Sequence, residues 1–253
     1  MTSQDRKRRV SGVLNISAVV LVAVALGFSL FSPRDVIQGD LTRMLYVHVP
    51  SIITAYLAFG LTTFATIVYL VRRDLQWDRW AAAAAEIGVV FLGLAIVTGM
   101  IWGKPVWGVW WTWDARLTST ALMFFIYLGY LALRRSIADP EARARRSAIL
   151  GVVAAGQIPI VHYSVLWWNT LHQAPTILRP GNPQIDAPLA IALFVSIIAF
   201  LFVFAVLLRK RLRLAVLEQV AYEEAEVVGA PLAGDAVDVP SLLGSRSLEV
   251  EQT

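Results

Sequence analysis

Apolar residues along this chain do not alternate with polar ones; they come in long, nearly unbroken runs. Six runs, near 14 to 31, 46 to 71, 82 to 102, 117 to 133, 148 to 168 and 187 to 208, are each about as long as the ~17 to 25 residues that a bilayer-spanning helix needs. Inside them only Glu86, His48 and His162 are acidic, basic or imidazole side chains. The pattern predicts an all-α polytopic membrane protein with six transmembrane helices. The first run follows Arg6, Lys7, Arg8 and Arg9 as a secretory signal would, but no small-residue cleavage site precedes Pro33. It reads as an uncleaved helix.

Composition agrees with the pattern: 57% hydrophobic and 16% charged residues lie outside the range of ordinary soluble domains. Charge adds an orientation, because basic residues in short loops stay on the cytoplasmic side. With the N-terminus inside, 17 of the 22 Lys and Arg residues fall inside, leaving Arg34, Arg43, Lys104, Arg116 and Arg179 outside. Both termini are therefore expected in the cytoplasm. The net charge of +4 reflects this topology, and nothing points to nucleic acid. The tail after Arg213 holds 8 of the 18 acidic residues and is expected to form a short surface helix followed by disorder. No cysteine is present, which excludes disulfides and thiolate chemistry. No Gly-rich phosphate loop, Ser-His-Asp arrangement or internal repeat occurs, so neither nucleotide hydrolysis nor ordinary hydrolase chemistry is expected.

The unusual residues gather on the outer face, in 32 to 45, 103 to 116 and 169 to 186. The stretch "WGKPVWGVWWTWDARLTS" places five tryptophans within twelve residues. Seven of the nine tryptophans (Trp102, Trp107, Trp110, Trp111, Trp113, Trp167, Trp168) fall at the outer edge, against Trp77 and Trp80 inside. An aromatic belt would be less one-sided. Gly103, Pro105 and Gly108 interrupt the helical pattern and predict a loop or short re-entrant piece. Indoles presented from such a backbone suit a large flat aromatic ligand, stacking on its face and donating N–H bonds to its edges. Asp114, directly before an apolar helix, is an N-cap with the favourable dipole sign; a contact to ligand or partner would add to that role.

Histidine is the strongest metal-ligand candidate where cysteine is absent. His48, in "YVHVPS", stands two residues before Pro50; proline favours the first helical turn, which puts His48 at the outer mouth of the second helix. His172, in "WWNTLHQ", stands four residues past Trp168, at the outer mouth of the fifth. His162 lies roughly 9 Å deeper at about 1.5 Å per residue, and a structural bond to a neighbouring helix is its expected role. His48 and His172 could be ordinary interfacial histidines. Beside a tryptophan platform, however, they describe bis-histidine ligation of haem iron. Any of the five outer cations could then pair with propionates.

The tryptophan stretch resembles the WWD signature of haem-handling membrane proteins. With "YVHVPS" and "VHYSVLWWNTLHQ" it closely resembles the cytochrome c maturation protein C (CcmC, haem exporter protein C) family, over about Leu41 to Leu208. The resemblance implies a six-helix inner-membrane protein that binds haem b (iron protoporphyrin IX) at its outer face and delivers it to the periplasmic haem chaperone CcmE, without being a conventional enzyme. It places the family's haem-ligand histidines at His48 and His172, and its haem-contacting motif at Trp102, Trp107, Trp110, Trp111, Trp113 and Asp114. The implied partners are CcmA, CcmB and CcmD, besides membrane lipid. On this reading the chain divides into a cytoplasmic N-terminus (1–13), a haem-handling membrane domain (14–208) with its WWD segment at 102–116, and a partly disordered, acidic cytoplasmic tail (209–253). Two alternatives stand beside it. One is a haem lyase or synthase acting directly on apocytochrome; the other is a non-haem structural subunit or transporter.

Overall fold

A computed structural model describes residues 3–172 and 185–228. The helices are α1 (Ser3–Phe31), α2 (Leu45–Arg72, entered through a 3₁₀ turn at Asp40–Met44), α3 (Leu75–Trp107), α4 (Ala115–Arg135), α5 (Pro140–Ala155), α6 (Gln157–Trp167) and α7 (Ala187–Val228). Six spans among the described residues are long and apolar enough to cross a membrane, α5 and α6 together making one of them. The predicted all-α, six-span class is the one observed.

Element boundaries differ from the sequence expectation where local capping decides them. Helix α3 starts at Leu75 because Asp74 caps it, accepting from the Gln76 N–H at 2.8 Å. Likewise α5 starts at Pro140 behind Asp139, which accepts from Ala142 N–H at 2.6 Å, with proline at the position where a missing N–H costs least. The predicted single helix over 148–168 is broken at Gly156, whose N–H bonds Val153 in a tighter turn. Pro159, three residues on, has no N–H to give the Ala155 carbonyl and crowds it, which favours the break there.

The chain divides into two compact units, Met1–Leu212 and Arg213–Thr253. The core of the first is the α2–α3 pair. Their contact is lined by small side chains, Ala55, Ala58 and Ala65 on α2 and Ala81 to Ala85 on α3, all buried; without a hydrophobic driving force in lipid, close backbone approach supplies the attraction. Phe59 stacks on Tyr127 of α4 with ring centres 3.7 Å apart, and a Cβ on Gly88 would meet that Phe59 ring at 2.5 Å. Two of the carboxylates within the spans are paired with arginine, as low dielectric favours. Arg134 holds Asp78 through two bonds of 2.5 and 2.7 Å, and Glu86 is held by Arg211 through Nε and through Nη2 at 2.9 Å. These pairs lie toward the arginine-rich end and leave the tryptophan end to other work. In the second unit the described residues, 213–228, are helical. The rest of the acidic tail lies outside the described residues.

Candidate functional site

At the tryptophan end, α2 begins earlier than Pro50 suggests. Pro50 is buried inside the helix, which loses only the N–H that would have met the Tyr46 carbonyl. The Ser51 hydroxyl, one residue on, bonds the Val47 carbonyl at 2.6 Å. His48 thus sits inside the first turns of α2, against α3. Its Nδ1 lies 2.9 Å from the Ala95 carbonyl oxygen and 3.3 Å from Thr98 Oγ1. A carbonyl only accepts, so Nδ1 carries the proton and Nε2 carries the lone pair. Gly99 makes this approach possible: a Cβ there would stand 3.0 Å from His48 Cε1.

The expected tryptophan loop is shorter than predicted. Helix α3 runs through Gly103 and Pro105 to Trp107, and Gly108, at φ 78°, ends it with its N–H on the Lys104 carbonyl. Gly103 is an accommodation rather than a break, since the Trp107 ring folds back to within 2.9 Å of where its Cβ would be. Only residues 108–114 are non-helical. Trp102 donates its indole N–H to Gln38 Oε1 at 2.8 Å. Gln38 is itself placed by a turn in which Asp35 accepts from the Ile37 and Gln38 N–H groups at 2.8 and 2.7 Å.

His172 follows the end of α6 and reaches the same place from the other side. Its ring centre is 6.5 Å from that of His48 and 6.1 Å from that of Trp107, while His48 lies 5.9 Å from Trp102, nearly edge-on. Both histidines line a cavity of about 240 Å³ together with Trp102, Trp107 and Trp111, and deeper Tyr56, Arg116 and His162. Three buried polar atoms in this lining, Tyr56 Oη, Trp111 Nε1 and Arg116 Nε, have no hydrogen-bond partner among the described residues. Unpaired buried donors are costly unless a ligand or water completes them.

Two imidazoles cannot alone hold a four-coordinate ion, and no group of three or more His, Cys, Asp or Glu suited to a metal occurs among the described residues. They do fit an iron whose other ligands come from a macrocycle. His48 and His172 would hold it, since two metal–nitrogen bonds of about 2 Å plus two ring radii of about 1 Å come to roughly the 6.5 Å between their ring centres.

Comparison with known proteins decides the family. The model of the CcmC family, described as heme exporter protein C, matches residues 3–226. The chain belongs to that family. It is 41% identical to heme exporter protein C of Bradyrhizobium diazoefficiens, over 79% of this chain and 76% of that one. It is 39% identical to heme exporter protein C of Haemophilus influenzae, over 85% and 89%. A putative cytochrome c biosynthesis ccmC-like mitochondrial protein of Arabidopsis thaliana is 34% identical over 94% and 90%. The chain is a multi-pass membrane protein.

Within this CcmC-family chain the residues singled out from sequence separate into groups. Trp102, Trp107 and Trp111 line the cavity with His48 and His172. Trp113, at 83% exposure, and the exposed Trp110, Trp167 and Trp168 face outward. Asp114 does not line the cavity; it caps α4, accepting from Leu117 N–H at 2.9 Å, as expected. His162, expected to make a structural bond to a neighbouring helix, contacts Tyr56 of α2. Its ring lines the cavity, edge-on to Tyr56 at 6.3 Å. Of the five outer cations, Arg34 and Arg43 pair with Asp40 at 3.1 and 3.0 Å, and Lys104 donates to the Gly108 carbonyl at 2.8 Å. Arg116 lines the cavity and donates to the His162 carbonyl at 3.1 Å. Arg179 lies outside the described residues. Sequence reading missed Gln38, Tyr56, Thr98 and Gly99. A helical-face reading would have found two of them, since 48, 52 and 56 on α2 and 95, 99, 102 and 106 on α3 recur at three- and four-residue spacing on the cavity side.

Proposed function

We propose that this chain binds haem at the periplasmic mouth of its helix bundle in the cytoplasmic membrane, and passes it to the periplasmic haem chaperone CcmE during c-type cytochrome maturation. The observation that carries this is the facing pair His48 and His172, 6.5 Å apart over one largely apolar cavity. Supporting it, the bond from His48 Nδ1 to Ala95 leaves Nε2 for iron and orients the ring, as a protein-held axial ligand requires. The indoles of Trp102, Trp107 and Trp111 supply walls for a flat ring. The unpartnered donors of Arg116, Tyr56 and Trp111 are suited to an acidic edge such as a propionate.

The outward indoles Trp110 and Trp113 supply an apolar surface for the chaperone on the same loop. Restricting the motion of both haem and chaperone lowers the barrier to covalent attachment by proximity, with no dedicated acid or base on this chain. ATP hydrolysis falls to partners, CcmA with CcmB, and CcmD completes the proposed assembly. Both termini lie in the cytoplasm on this reading.

The test is the absorption spectrum of detergent-purified protein loaded with haem b, oxidised and reduced. Wild type is expected to give a six-coordinate low-spin spectrum. His48→Ala and His172→Ala should each lose it and bind haem more than about tenfold more weakly, while His162→Ala keeps it. A wild type that binds no haem, or a His172→Ala protein with an unchanged spectrum, overturns the assignment.

A further inference from the structure

The aspartate of the tryptophan loop does not line the cavity and forms no salt bridge among the described residues, yet both its oxygens are used. Oδ1 accepts from Leu117 N–H at 2.9 Å and caps α4. Oδ2 accepts from the Leu171 N–H at 3.2 Å, across 57 residues of sequence, and from the Thr112 hydroxyl at 3.3 Å. Leu171 is the residue immediately before His172. Local bonds finish the segment: Trp168 N–H closes α6 on the Ser164 carbonyl at 3.0 Å, and His172 N–H bonds Thr170 Oγ1 at 2.9 Å.

We infer that Asp114 is a positioning residue for His172, its carboxylate tying the segment after α6 to the start of α4 so that the imidazole stands opposite His48. The inference rests on the proposed role of His172 as an iron ligand and assigns Asp114 a task other than contact with haem. It also explains why the residue is Asp. Asn caps a helix about as well, but its single carbonyl oxygen lies on one side of the amide and its nitrogen is a donor. One amide cannot accept from Leu117 and Leu171 from the two ends that a carboxylate offers.

Asp114→Asn and Asp114→Ser both retain a capping oxygen and so keep α4. Two measurements test the tether. In haem-free protein, hydrogen exchange of the peptide containing Leu171 should rise about three- to tenfold in both variants, while exchange in the first turn of α4 stays at the wild-type rate. In haem-loaded protein, the low-spin spectrum should give way in part to a five-coordinate one, with haem lost about three- to tenfold faster. Added imidazole should restore the low-spin spectrum, which a general loss of folding would not allow.

Wild-type exchange at Leu171 in both variants overturns the tether. So does a fully low-spin spectrum at the wild-type rate of haem loss. If wild type itself binds no haem, the ligand reading fails, and the exchange measurement still decides whether Asp114 holds the segment.

Discussion

The two histidines of the cavity are seated by opposite means. His48 is part of a helix, and its ring is fixed by a backbone carbonyl of the helix packed against it, Ala95, in a groove kept open by Gly99. His172 stands outside any helix, and its segment is tied in part by side chains, the Asp114 carboxylate on Leu171 N–H and the Thr170 hydroxyl on His172 N–H. The first seat is part of the α2–α3 contact, where small residues let backbones meet. On the inference above, the second would be loosened by losing the exposed bond between Leu171 and Asp114. If the chain binds haem and passes it on as proposed, that asymmetry would let His48 keep the ring in register while His172 yields to the acceptor.

The largest effect is expected where the helical seat is filled. Gly99→Val would place a Cβ 3.0 Å from His48 Cε1 with two further methyl groups in a packed interface, and overpacking of this kind costs about 1 to 3 kcal/mol. Haem affinity should fall about tenfold or more, and the spectrum should become five-coordinate with His172 as the remaining ligand. Titration with haem b measures the loss. A low-spin spectrum at wild-type affinity would show that His48 is not confined by α3.

An intermediate effect is expected at the wall that joins the two seats. Trp107 belongs to α3 but faces His172 at 6.1 Å, and it occupies the space a side chain on Gly103 would need. Gly103→Ala should displace the indole and weaken haem binding about three- to fivefold, while the better helix propensity of alanine, about 1 kcal/mol, holds or raises the melting temperature. A parallel fall in melting temperature and affinity would instead mean that the turn itself has been damaged, and that the wall has no separate role.

How much of this was legible in the chain follows the range of the interactions. Six spans could be read because long apolar runs act locally, and Asp114 could be read as a cap because its acceptor bond reaches only to Leu117. The passage of α3 through Gly103 and Pro105 could not, because the accommodation depends on where the Trp107 ring folds. The seat of His48 left no mark at Ala95, since a backbone carbonyl is common to every residue type. The bond from Leu171 to Asp114 closes only when α4 and α6 are neighbours. Composition placed the tryptophans together at one end; helix phase and the turn at Gly108 sorted those lining the cavity from those facing outward.

The smallest effect separates backbone from side chain within the helical seat itself. Thr98 Oγ1 lies 3.3 Å from His48 Nδ1, but its single proton is already directed to the Leu94 carbonyl at 2.7 Å, and the shorter bond of the imidazole goes to Ala95. Thr98→Val keeps the shape, removes the hydroxyl and leaves the carbonyl in place. A long, shared bond contributes at the low end of the about 0.5 to 1.5 kcal/mol of an ordinary one, so haem affinity should change by no more than about twofold and the spectrum should remain low-spin. A tenfold loss would mean that the hydroxyl, and not the Ala95 carbonyl, fixes the ring. His48 would then depend on a deletable side chain just as His172 does, and the contrast between a fixed and a yielding ligand would disappear.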